Sequence, residues 1–196
     1  MRKKPNKANE KKNKIRERII FRFLIIAVIT VLVGSIFLAY NFFVGDLFTA
    51  FVLNFIGTSF LYTAALILCS FFLYLCFVIT IFNPQRVKKS SVITFTFVGI
   101  ITLIITIFLV KFSVSETTKG ISDLADYSNG EWQVKELLVT DVYRGGYHTG
   151  PGALIDTEEG EMSLHWESFL IYAGEKYRFT YLDATNTIIK VERLTD

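Results

Sequence analysis

The long apolar runs of this sequence contain almost no charge. Asp46 is the only charged residue between Phe23 and Gln85, and none lies between Ser91 and Val110. Transporters and pumps usually carry ionisable groups within their membrane spans, where these groups pair with each other or relay ions. Their absence argues against a transport pathway built from a single copy of this chain.

Cysteine and proline are also scarce, with two and three copies respectively. Cys69 and Cys76 lie seven residues apart, and a helical rise of about 1.5 Å per residue separates them by roughly 10 Å, too far for a disulfide. We expect both to serve as small packing residues. No cysteine follows Cys76, so the C-terminal part cannot depend on disulfides. Pro84 is the only proline placed to break a predicted helix.

Signatures of enzymes and metal sites are missing as well. His148 and His165 lack the spacing of a zinc motif, and no serine lies in a nucleophile elbow. The glycine-rich loop 144–152 has neither the following Lys-Ser/Thr nor the helix of a phosphate cradle. The acidic stretch 156–161 lacks the ligand spacing of a calcium loop and is better interpreted as a solvated turn. We therefore predict no catalytic residue, no cofactor and no metal.

Three apolar runs are long enough to cross a bilayer, whose core of about 30 Å requires about 20 helical residues. In lipid, a single segment satisfies its backbone hydrogen bonds only as a helix, so we predict helices at about 19–43, 57–83 and 90–111. The first run is longer than a signal-peptide core of about 7–15 residues, which favours a retained helix. Residues 47–55 are interpreted as an interfacial or re-entrant lead-in, with one long tilted helix as the alternative.

Basic residues lie on one side of these spans. The segment from Met1 to Arg22 contains ten Lys or Arg and two Glu, whereas the segment from Phe112 to Asp196 contains seven basic residues and fifteen acidic ones. Because basic flanks stay in the cytoplasm, we predict a multi-pass protein of the cell membrane with a cytoplasmic N-terminus and an extracellular C-terminal domain. The residues expected to contact anionic lipid headgroups are Lys11, Lys12, Lys14, Arg16, Arg18, Arg86, Lys88 and Lys89.

The basic tail, residues 1–18, is rich in Lys, Asn and Glu and has no apolar residue to anchor it before Ile15. This composition predicts a disordered segment. No aromatic or arginine-rich pattern accompanies the lysines, so we predict no binding of nucleic acid.

The C-terminal part changes character after a polar connector, residues 113–130, in which one or two helical turns are expected. Residues 131–196 alternate in short stretches separated by turn residues, which predicts five strands. A slip in the alternation near Glu136 and Leu137 indicates a bulge. The predicted fold class is membrane α + β: three transmembrane helices followed by a small antiparallel β-barrel or sandwich, either OB-like or SH3-like.

The segment from Gly174 to Glu192 resembles the ending of small β-domains on uncharacterised Gram-positive bacterial membrane proteins. It covers about a tenth of the chain. The resemblance implies a bacterial cell membrane and an extracytoplasmic β-domain, and it carries no catalytic residue.

Loop 143–152 has an aromatic and polar tip, formed by Tyr143, Arg144, Tyr147 and His148. Tyr and Arg are enriched at binding hot spots, so these residues and the exposed strand edges are predicted to bind a protein partner. This gives a non-enzymatic interaction module; one version is an immunity (self-protection) protein. The alternative is an accessory subunit of a membrane transport or secretion complex, held by its helix faces. Assembly of several copies of this chain into a homo-oligomer is a further alternative.

Overall fold

A computed structural model describes residues 7–82, 88–144, 152–165 and 170–194. The chain divides into two compact units. The helical unit comprises residues 1–33 and 60–113, and the barrel unit comprises residues 34–59 and 114–196.

The described part contains three long helices. α1 is Lys7–Tyr40 and is followed by a 3-10 turn, Asn41–Phe43; α2 is Leu47–Phe77 and continues as a π-helix, Val78–Phe82; α3 is Lys89–Asn129. All three are long and apolar enough to cross a membrane, by length and composition. The three predicted spans therefore correspond to three helices, although each helix extends beyond its predicted bounds.

The basic tail differs from its prediction because α1 already begins at Lys7. Lys, Arg and Glu are good helix formers, and adding residues to an existing helix is far easier than starting one. The apolar run that follows supplies that start, and the helix extends backwards into the basic segment. Residues 1–6 lie outside the described part of the chain.

α2 begins at Leu47 and continues without a break through the predicted boundary near residue 57. Residues 47–55 therefore belong to one long helix, which was the alternative, and do not form a separate lead-in. Asp46 caps the helix: its Oδ2 accepts hydrogen bonds from the Thr49 backbone N–H at 2.8 Å and the Thr49 hydroxyl at 2.6 Å. Gly57 is a packing residue, because a Cβ there would lie 2.7 Å from Cγ of Leu38 on α1.

α3 also continues through the region predicted as a connector. Its 41 residues would span about 61 Å at 1.5 Å per residue, about twice the bilayer core. The polar residues 114–129 are therefore helical, where one or two turns were expected. Their contacts within the barrel unit, described below, give the reason.

Within the helical unit, aromatic and small residues join the helices. Phe23 of α1 lies 6.4 Å from Phe71 and 6.2 Å from Tyr74, between ring centroids. A Cβ added at Gly99 on α3 would lie 3.2 Å from Cβ of Cys76. Cys76 is therefore a packing residue, as the sequence predicts.

The predicted barrel is confirmed. Five strands are described: β1 Gln133–Arg144, β2 Ala153–Thr157, β3 Gly160–Leu164, β4 Lys176–Leu182 and β5 Thr187–Arg193. They close in the order β1-β2-β3-β5-β4, with β1 paired to both β2 and β4. The antiparallel prediction needs one correction: β3 and β5 run parallel and share a single pair, Ser163 with Thr187.

β1 contributes to both halves of the barrel because it bends at an irregularity between Val139 and Asp141. The sequence indicates the bulge too early, near Glu136 and Leu137, which instead pair regularly with β4. Among the described residues, a single pair joins β3 to β5, and the predicted binding through exposed strand edges stays a prediction. The barrel core is formed by Leu137, Val139, Ala153, Ile155, Met162, Leu164, Ile171, Tyr177, Phe179, Tyr181 and Ile188.

Candidate functional site

The first turn of α2 completes the barrel core. Leu47 belongs to the same buried cluster as the inward residues of the strands. Phe51, 3% exposed, stacks on His165 just after β3, with ring centroids 6.0 Å apart. The seam between β3 and β5 has only one residue pair. We infer that α2 stabilises the barrel beside its weakest pairing.

The end of α3 packs on the same part of α2. The rings of Phe48 and Tyr127 stack with centroids 3.4 Å apart, and Tyr127 in turn lies 5.7 Å from Trp132, which precedes β1. Gly120 faces Phe55, where an added Cβ would lie 2.3 Å from the ring carbon Cε2. These contacts account for the helical conformation of residues 114–129, because they bury side chains that a free connector would expose.

Replacing Gly120 by alanine is expected to destabilise this packing by about 1–3 kcal/mol, since the new methyl group overlaps the Phe55 ring. The loss should appear as a lower thermal midpoint of the full chain in detergent. Phe55→Ala in the same chain should recover part of the loss by making room. If the two losses simply add, the Gly120–Phe55 contact is wrong.

Asp123 on α3 holds the turn between β4 and β5. Its side chain is fully buried. Its carboxylate accepts hydrogen bonds from the backbone N–H of Ala184 at 3.0 Å and of Thr185 at 3.1 Å, and also from the Thr185 hydroxyl. A buried carboxylate is tolerated only when such donors satisfy it. No local pattern indicates this role, because Asp123 stands among polar residues typical of a solvated helix.

His165 is the other polar residue at this junction. Desolvation lowers the pKa of His165 from its usual 6.5 to about 4. Packed against Phe51, the imidazole is therefore neutral at pH 7. A neutral, stacked histidine contributes to packing here.

The outward face of β1, β2 and β3 presents two rows of side chains in register across the strands. One row is acidic: Asp141 pairs with Asp156, which pairs with Glu161. The other row joins Tyr143, Leu154 and Ser163 in the same way. Inward residues alternate with these along β2 and β3, so both rows lie on the outside of the barrel. We call this surface the β1–β3 face.

The apolar part of this face is exposed to solvent. Tyr143 is 54% exposed and Leu154 41% exposed, although both sit on a strand pair whose inner face is fully packed. A hydrogen bond with Asp141 and the nearby charge of Asp156 raise the pKa of Tyr143. Tyr143 therefore interacts with the neighbouring acidic row.

The predicted loop residues separate in the structure. Tyr143 belongs to the β1–β3 face, whereas the Arg144 guanidinium donates a hydrogen bond to the backbone carbonyl of Ile171. Arg144 thus ties the end of β1 to the segment before β4. Tyr147 and His148 lie outside the described residues.

Of the residues predicted to contact lipid headgroups, Lys14, Arg18, Lys88 and Lys89 are described and exposed. Arg16 is half-buried, with its guanidinium carbon 5.6 Å from the centroid of the Phe82 ring. Arg86 and the side chains of Lys11 and Lys12 lie outside the described part.

A polar cleft of about 200 Å³ opens where β1 begins and the turns after β2 and β4 meet. Lys135 and Glu159 form an ion pair at its wall, and the buried Tyr181 lines it. Among the described residues that line the cleft, Lys135 is the only cation, and Glu161 of the β1–β3 face and Asp183 line it as well.

Comparisons with protein-family models, with characterised proteins and with solved structures found no match to this chain.

Proposed function

We propose that this chain is a non-enzymatic integral membrane protein that presents its barrel outside the cell to a protein partner. The exposed pair of Tyr143 and Leu154 carries the proposal. Paired aromatic and aliphatic side chains on an ordered sheet can anchor a partner with little loss of conformational freedom. Protection of the producing cell against a toxin that acts at its surface is one specific form of this function.

The proposed orientation follows from charge. The basic N-terminal segment and the basic residues before α3 stay in the cytoplasm, and the acidic C-terminal part crosses to the outside. Three crossings place the two ends of the chain in different compartments. A C-terminal epitope should therefore be digested when protease is added to intact cells, while an N-terminal epitope survives. Survival of both epitopes would contradict the orientation.

Partner binding is tested by Tyr143→Ala in the full chain. Losing one anchor of this kind costs about 1–2 kcal/mol, which corresponds to a weakening of about five- to thirtyfold. We expect the variant to recover about tenfold less partner from membranes solubilised in mild detergent, measured by quantitative mass spectrometry.

Val134→Ala is the matched control. Val134 lies on the same strand and is 53% exposed, but it is paired with β4 and lies away from Tyr143. It should leave recovery unchanged. Equal recovery with Tyr143→Ala and wild type would contradict the proposed binding face. Partners that persist after deletion of residues 131–196 would instead favour the accessory subunit held by its helices.

A further inference from the structure

The acidic row of the β1–β3 face, formed by Asp141, Asp156 and Glu161, is expected to lower the stability of the barrel. Neighbouring strands lie about 4.8 Å apart, so Asp141, Asp156 and Glu161 bring three carboxylates side by side. Like charges directly opposite each other destabilise a sheet. Asp141 accepts a bond from the Val142 N–H at 2.7 Å and interacts with Tyr143. None of the three carboxylates forms an ion pair within the described residues, so packing gives no reason for the row.

Four basic side chains of the barrel form ion pairs with carboxylates outside the acidic row. The pairs are Lys135 with Glu159, Arg178 with Glu136 and Glu192, Lys190 with Glu192, and Arg193 with Glu175. The three carboxylates of the acidic row therefore have no cationic partner among the described residues, and they stand together on the β1–β3 face. A ligand that supplies cations would relieve the repulsion on binding.

The neighbouring row specifies a second requirement. Tyr143 and Leu154 stand two residues along their strands from Asp141 and Asp156, a distance of about 7 Å at 3.3–3.4 Å per residue. A ligand for the whole face must therefore present cations and apolar groups about that far apart. An extended or helical peptide with both kinds of side chain meets this condition, whereas a simple ion does not.

We propose that the β1–β3 face binds a basic amphipathic segment of a protein, with lysine or arginine side chains on the acidic row and apolar side chains on Tyr143 and Leu154. This inference rests on the proposed function and specifies the chemistry of the partner. A toxin peptide that is cationic and membrane-active would fit the face.

Two other ligand classes fit less well. A nucleic acid needs positive charge to neutralise its phosphates, and this face is negative. A bare metal ion needs ligands that converge, but among the described residues no group of three or more His, Cys, Asp or Glu side chains is arranged to hold one. The carboxylates instead follow a line across three strands, which suits cations distributed along a chain.

The test uses the full chain in lipid discs of phosphatidylcholine, whose zwitterionic headgroups minimise binding of peptide to lipid. A short labelled peptide of alternating lysine and leucine is titrated by fluorescence anisotropy, with empty discs as the blank. Peptides in which glutamate replaces lysine, or serine replaces leucine, probe the charge and the apolar requirement. We expect binding of the Lys–Leu peptide alone, weakening as salt is raised.

The decisive variant combines Asp141→Asn, Asp156→Asn and Glu161→Gln, which keep the side-chain shapes and remove the charges. Binding should weaken about tenfold or more, the loss expected for at least 1.4 kcal/mol of charge attraction, and its salt dependence should flatten. The control Glu131→Gln removes one exposed carboxylate outside the row and should bind as wild type. The thermal midpoint of the triple variant should stay level or rise by a few degrees, because repulsion is relieved.

Unchanged peptide affinity in the triple variant, or equal binding of the Glu–Leu peptide, would overturn this inference. A lower thermal midpoint in the triple variant would also overturn it, since the row would then stabilise the fold. The proposed function fails separately, if recovery of the native partner does not depend on Tyr143. Dependence on Tyr143 without dependence on the acidic row would mean a partner that is not basic.

Discussion

Asp123→Ala is expected to lower the free energy of unfolding of the barrel unit by about 2–5 kcal/mol. The substitution leaves the backbone N–H groups of Ala184 and Thr185 without their acceptor. Both residues are half-buried, so water can satisfy these groups only in part. The most local readout is hydrogen exchange of these two amides in the full chain, which should become much faster, together with a lower thermal midpoint.

Asp126→Ala is the matched control, since Asp126 lies one turn further along α3 and its side chain forms no hydrogen bond within the described residues. It should leave both amides protected. Asp123→Asn should lie between alanine and wild type, because the amide oxygen can accept one bond while its NH₂ group faces a second donor. Undiminished protection of Ala184 and Thr185 in Asp123→Ala would show that α3 does not hold the turn.

Protonation of His165 should lower the free energy of unfolding of the barrel unit by about 3 kcal/mol as the pH falls from 6.5 to about 4. The pKa of His165 is 6.5 in the unfolded chain and about 4 in the folded one, and each pH unit between them corresponds to about 1.4 kcal/mol. Within this window the unfolded state binds the proton and the folded state does not, so acid favours unfolding. The stabilisation is complete above pH 6.5 and lost by about pH 4.

His165→Phe isolates this contribution. Phenylalanine keeps an aromatic ring against Phe51 but cannot be protonated, so the variant should lose about 3 kcal/mol less than wild type over the same window. Chemical unfolding in detergent at pH 7, 6, 5 and 4.5, followed by tryptophan fluorescence, measures the difference. Parallel curves for the two proteins would mean that His165 is not desolvated by α2.

Several elements could be predicted because their signals are local. The apolar runs around α1, α2 and α3 require helices in lipid whatever surrounds them. Alternation and turn residues predicted the strands closely, since a strand such as Lys176–Leu182 exposes every second side chain. The start of α2 was missed although its signal was present: Asp46 directly before Leu47 is a typical N-cap.

Other features depend on residues far apart in sequence. Asp123 and Thr185 are 62 positions apart, and nothing near either residue indicates their contact. The same holds for the stacking of Phe48 on Tyr127. The polar composition of residues 113–130 predicts a connector with one or two helical turns, and only packing against α2 and the barrel explains a continuous helix. Likewise, Arg144 has the chemistry of a hot-spot residue, but its position at the end of β1 directs it to the Ile171 carbonyl.

By itself, the sequence determined three long apolar helices, their separation from an acidic C-terminal part and the five strands, because hydropathy, charge and alternation act over short distances. Only the tertiary structure decided that the barrel closes, that α2 and α3 stabilise it, and that Asp141, Asp156 and Glu161 stand side by side. Strand register sets which side chains become neighbours. That register depends on pairing between distant segments, which no local pattern specifies.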